Sequence, residues 1–189
     1  MTDDKIPKWI CLLEISGIFL IIASAFILVF PLMGIQNDIN DKEISLSIIL
    51  CDLTLSNNCR DRVIMADCTK AIIKNFPESA ERNESLDFFE EAKDVSLNRW
   101  AQALLGGLGK DTNFTLSDFK KLDINEKINK TKELTILLIE KYNRVDAEKK
   151  LDERYRNGLI IFSTILQVFG LVFIESKRIY ECCKRLRVK

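Results

Sequence analysis

The chain has no histidine, and that absence removes whole classes of chemistry before any fold is considered. Histidine is the base of most nucleophilic triads and the commonest metal ligand. Without it, no cysteine–histidine or serine–histidine pair can be assembled. Carboxylates remain, 28 of them. They are spread along stretches of helical character and read as solvated faces, not as a paired acid and base. The segment Gly106-Gly-Leu-Gly-Lys110 invites a phosphate-loop reading. That motif needs a glycine where Leu104 stands, Ser or Thr where Asp111 stands, and a preceding strand where a helix is predicted. The reading adopted is a helix C-terminus, with glycine taking the left-handed cap. No catalytic residue, cofactor or metal site is assigned, and the chain is expected not to be an enzyme.

Sulfur offers the next chemistry. Cys51, Cys59 and Cys68 lie in the middle of the chain. In an oxidising compartment, one disulfide and one free thiol are expected among them. Cys51 with Cys59, or Cys59 with Cys68, would each tie one predicted helix to the next. The alternative is three buried, reduced cysteines acting as small apolar residues. No Cys-x-x-Cys or other zinc spacing occurs. Asn83-Glu-Ser85, Asn113-Phe-Thr115 and Asn129-Lys-Thr131 match the N-glycosylation pattern. Asn113, in a predicted loop, is the best acceptor and Asn129 the second. The Asn83 site competes with Ser85, the predicted N-cap of a helix.

Two apolar runs must position everything else. Trp9 to Met33 contains Glu14 as its only charge, and Gly158 to Ile174 contains none. A membrane-spanning helix needs about 20 mostly apolar residues. Backbone polar groups must be paired within such a run, so both are predicted helices. Ala23-Ser24-Ala25 resembles a signal-peptidase site, but the apolar run continues past it and the leader is not net basic, so cleavage is the weaker reading. Lys177, Arg178, Lys184, Arg185, Arg187 and Lys189 follow the second run. This excess places both termini in the cytoplasm by the positive-inside rule. The resulting domains are a cytoplasmic N-terminus (1–8), a first span (9–33), an extracytoplasmic helical domain (34–157), a second span (158–175) and a basic cytoplasmic tail (176–189). The tail suits anionic lipid. Cys182 and Cys183 stand where reversible S-palmitoylation occurs, though a plain stop-transfer anchor explains them as well.

Between the runs the chain is charged, helix-forming and poor in breakers. Proline occurs only at 7, 31 and 77. Pro31 and Gly34 are expected to end or kink the first helix. A low-contrast helix over 38–55, a turn at Ser56-Asn57-Asn58, a helix from Arg60 to Phe76 ended by Pro77, and an amphipathic helix from Glu84 to Leu105 follow. Ile64, Cys68 and Ile72 mark the predicted inner side of the second, and Leu86, Phe89, Leu97, Trp100 and Leu104 that of the last. From Asp123 a single unbroken helix is predicted to run through the second apolar run to Arg187. The fold class is therefore all-α: two transmembrane helices flanking a membrane-proximal antiparallel bundle of three or four helices, the last long and continuous into the membrane.

Within the runs, Gly17 and Ser24 share one helical face, and Ser163, Gln167 and Gly170 share another. Small and polar residues let membrane helices approach and hydrogen-bond, so these faces are expected to meet, within the chain or in a homodimer. Basic and acidic residues balance at 28 each, which gives no basic face for nucleic acid. The partners expected are membrane lipid and a protein partner or a second copy. The function read from all this is a non-enzymatic, extracytoplasmic interaction or sensory module in the plasma membrane. An accessory or pore-lining subunit of a channel or transport complex, with Gln167 and Ser163 facing a conduit, is the alternative.

Overall fold

The computed structural model describes residues 8–75 and 78–187, which are almost entirely helical, with no strand among them. The elements are α1 (Lys8–Ile73), α2 (Ala80–Leu108), a short 3-10 turn (Gly109–Asp111), α3 (Leu116–Lys120), α4 (Ile124–Ile174) and α5 (Ser176–Arg187). The chain divides into two compact units, residues 1–41 with 149–189, and residues 42–148.

Three boundaries differ from the sequence reading. Helix α1 runs through Pro31, Gly34 and Ser56-Asn57-Asn58 without a break. Proline removes one backbone bond and crowds the preceding turn, at about 3 kcal/mol, which a helix of 66 residues absorbs. At the predicted turn, burial outweighs local preference: Ile49, Ser56, Val63 and Ala66 all lie on the buried side. Consequently Ile64 and Ile72 face outward, not inward as the 3.6 spacing suggested. Second, α2 begins earlier, and Ser79, not Ser85, is its N-cap, accepting from the Arg82 amide at 3.1 Å. Ser85 turns its hydroxyl back to the Glu81 carbonyl at 2.8 Å. Third, the last helix is interrupted at Glu175, where the apolar run gives way to charge. Backbone bonds from Glu175 to Leu171 and from Ile179 to Glu175 still run across the interruption. Pro77 lies outside the described residues.

In the 1–41/149–189 unit, α1 and α4 form an antiparallel pair. Trp9 meets Tyr180 edge-on at 6.1 Å, Ser24 meets Ser163, and Arg156 donates to Gln36 at 2.9 Å. Most apolar side chains here point away from the pair: Phe19, Phe26, Phe30, Ile161 and Phe169 are all more than half exposed.

The 42–148 unit has an extended core. Ile49 and Val63 of α1, Leu97, Trp100, Leu104 and Leu108 of α2, Phe119 of α3, and Leu134 and Leu138 of α4 are buried together. Helix α2 runs antiparallel to α1: Lys93 pairs with Asp67 at 2.7 Å, and Lys70 pairs with Glu90 one turn along. Helix α4 does not continue the up-and-down pattern. Lys127 pairs with Asp94 at 2.6 Å and Lys141 reaches the Gly107 carbonyl at 2.9 Å, so α4 rises parallel to α2. The expected wholly antiparallel bundle is thus replaced by one in which residues 109–123 cross back over the core. Thr115 opens α3 with a reciprocal cap to Asp118, and Phe119, fully buried, pins the crossover.

The ion pairs of this unit are unequal. Lys127 is 7% exposed and Lys93 is 14%, but Asp67 is half exposed whereas Asp94 is 36%. Asp94→Ala strands a desolvated ammonium and is expected to destabilise by about 3 kcal/mol. Asp67→Ala is expected to change stability by less than about 1 kcal/mol. Urea unfolding of the two variants side by side checks the order.

Candidate functional site

The backbones of α1 and α4 approach closely in the first unit. A Cβ at Gly17 would stand 2.5 Å from the Gly170 carbonyl oxygen, and one at Gly170 would stand 2.8 Å from the Gly17 carbonyl oxygen. Only glycine permits this distance. Two turns along, Ser24 and Ser163 are fully buried. Ser163 Oγ donates to the Ser24 carbonyl at 3.1 Å, and Ser24 Oγ to the Ile21 carbonyl at 2.7 Å. Each hydroxyl therefore satisfies a carbonyl in an otherwise apolar seam. Gln167 is half-buried on the same side of α4. Of the five residues singled out for helix packing, Gly17, Ser24, Ser163 and Gly170 meet along this seam.

The cysteines do not pair. Cys51, Cys59 and Cys68 are free thiols, and the reason is geometric. All three stand on α1. Steps of eight and nine residues along a helix are about 12 and 13.5 Å, while a disulfide needs Cα atoms within about 7 Å. The expectation failed because it placed a turn between Cys51 and Cys59. The alternative of three buried thiols fails as well, since Cys51 and Cys68 are exposed and Cys59 is half-buried.

Asn113 is exposed in the extended segment before α3, and the hydroxyl of its partner residue Thr115 is occupied by Asp118 at 2.6 Å. Asn129 is exposed on α4, but Thr131 is fully buried and donates to the Ile128 carbonyl. Of the basic tail, Lys177 is half-buried and Arg178 exposed, the latter donating to Glu175 at 3.1 Å. The side chains of Lys184, Arg185 and Arg187, that of Cys182, and all of Lys189 lie outside the described residues.

The glycine-rich segment is the end of α2. Gly109 has φ 57° and its amide donates to the Leu105 carbonyl. The Lys141 ammonium bonds the Gly107 and Leu108 carbonyls and Asp111, a cation at the negative end of a helix. Its hydrogen bond, with the nearby Arg144 charge, holds the Asp111 carboxyl below the usual range against its partial desolvation.

A feature the sequence reading missed is an open groove between α1 and α2 of the second unit. It has a volume of about 710 Å3, with Met65, Thr69, Phe88 and Val95 on its walls and Arg62 and Arg99 at one end. A second depression of about 490 Å3 shares Arg62 and Arg99 and continues past Leu55 to Asp52. Burial pushes the Asp52 carboxyl up from its ordinary value. Among the described residues, no cluster of Cys, Asp and Glu side chains has the form of a metal site.

No protein-family profile, curated protein or solved structure matches this chain.

Proposed function

We propose that this is a two-span integral protein of the plasma membrane, with both termini in the cytoplasm and the 42–148 unit outside as a non-enzymatic interaction or sensory module. The observation that carries it is the inverted surface of the α1–α4 pair. In the most apolar stretches of these helices only 6% and 11% of the residues are buried. A core helix of a water-soluble protein would hide such residues, and in water their exposure would be opposed at about 25 cal/mol for each Å2. Lipid removes that opposition. From Trp9 to Gln36 the pair measures about 40 Å, against about 40–45 Å for a bilayer with its headgroups. Trp9 and Tyr180 form an aromatic contact at the end bearing the basic tail, and Gln36 with Arg156 forms a polar contact at the other. Amphipathic rings favour the headgroup level.

Anchoring is favoured over a conduit by the same seam. The Ser163 hydroxyl is spent on the Ser24 carbonyl, where a pore-lining role would turn it to water. The sensory aspect rests on α4, a single helix from Ile124 to Ile174.

Intact cells are to be treated with a membrane-impermeant maleimide. One variant keeps only Cys68, which is exposed. The other keeps only Cys182 and Cys183. Labelling of the first variant, without need of a reductant because the thiol is free, is the expected result. Labelling of the second alone would reverse the topology and end this reading.

A further inference from the structure

Helix α1 carries two apolar stripes in the 42–148 unit, and only one is used. Ile49, Val63 and Ala66 face the core. On an adjoining face, bordering α2 over part of its length, stand Ile44, Ile48, Cys51, Leu55, Asn58, Arg62, Met65, Thr69 and Ile72. Their spacing alternates four and three residues from end to end. A period of 3.5 is the mark of a helix that supercoils with a partner, since a lone helix follows 3.6. Ile44, Ile48, Met65 and Ile72 are 55–71% exposed and Leu55 49%, so among the described residues no element covers the stripe.

We infer that the outward face of α1, from Ile44 to Ile72, is the seam of a parallel homodimer in which α1 of a second copy lies along it. The inference rests on the membrane topology proposed above. Two copies held in one membrane with the same orientation are related by an axis along the membrane normal. Their α1 helices must then run parallel and in register, each residue of the seam facing its own counterpart. The sequence suits that arrangement. Ile48 and Leu55 take heptad position a, Ile44, Cys51, Met65 and Ile72 take position d, and Asn58 and Arg62 form a polar layer of the kind that sets register. Asp61 stands at position g, beside the a position of a parallel neighbour, so Arg62 of each copy meets an acid across the seam. Among the described residues, Asp61 has only an exposed contact of 3.7 Å with Arg60.

The groove fits the same occupant. Phe88 and Val95 of α2 form its second wall, so the incoming helix would rest on α1 and α2 together. The stripe is about 42 Å long and a helix about 10 Å wide. With the α2 wall, the face amounts to roughly 600 Å2 in projection, comparable with the ~800 Å2 that each partner gives to a standard interface.

The test uses the full chain in carbonate-washed vesicles. Single cysteines are placed at the native Cys51 or as Leu55→Cys and Asn58→Cys in an otherwise cysteine-free background. Asn57→Cys, exposed but off the stripe, is the control. Copper-phenanthroline supplies the oxidant. Dimer bands at 51, 55 and 58 with little at 57 are expected. A second variant pair, Leu55→Glu with Met65→Glu, is expected to weaken self-association more than about tenfold while helical circular dichroism is retained. Equal cross-linking at all four positions, or self-association untouched by the two glutamates, overturns the dimer. Protein that washes off the vesicles overturns the membrane reading instead, and the register argument with it.

Discussion

Changing Gly170 to leucine is expected to force α1 and α4 apart, at a cost of about 3 kcal/mol or more. Overpacking a close-packed site ordinarily costs about 1–3 kcal/mol, and here even the first added atom would lie 2.7 Å from Ile21 and 2.8 Å from a carbonyl oxygen. Neither backbone can move without unseating the Ser163–Ser24 hydrogen bond two turns away. Gly158→Leu is the matched control. It lies on the same helix with nothing within 4 Å of its added Cβ, and leucine is the better helix former there by just under ~1 kcal/mol. The measurement is oxidative cross-linking of a Ser24→Cys, Ser163→Cys pair, together with thermal unfolding in detergent. Gly170→Leu should abolish the cross-link and lower the midpoint, while Gly158→Leu should leave both unchanged or raise the midpoint. Equal behaviour of the two variants would remove the close approach as the reason for glycine at position 170.

Phe119→Ala is expected to be the most damaging single truncation in the 42–148 unit, at about 3–5 kcal/mol. Phe119 belongs to a helix of five residues that could not persist alone. It is held by its fully buried ring among Leu134, Leu138, Leu104 and their neighbours. The Lys127 ammonium lies 6.0 Å from the ring centroid, so the void would also open beside a desolvated charge. The segment 109–123 lets α4 start level with Asp94 and run parallel to α2, and without its anchor that return path loses its definition. Ile136→Ala, on the exposed side of α4 at 58% accessibility, is expected to change stability by less than about 0.5 kcal/mol. Guanidinium unfolding of both variants tests the contrast. A loss below about 1 kcal/mol for Phe119→Ala would mean that the crossover is not pinned by its ring.

The sequence by itself determined the helical class. Few glycines and prolines, long apolar runs and the spacing of Leu97, Trp100 and Leu104 are local signals that all point to helix, and their agreement carried the class. The Gly17, Ser24, Ser163 and Gly170 pattern was legible as well, because residue size alone limits how near two helices can come. What tertiary structure decided were contests between local preference and burial. Ser56-Asn57-Asn58 has turn chemistry, yet it is helical because Ile49 and Val63 on either side are held in one core. Pro31 lies inside α1, one lost bond being small against the many that remain. Once those breaks closed, the three cysteines came to lie on one rigid helix and the expected disulfide became geometrically impossible. The parallel course of α4 was not legible either, since it depends on Lys127 reaching Asp94 and Lys141 reaching the end of α2. Those contacts join residues more than thirty positions apart, and no periodicity in the sequence records which of two helices a third will follow.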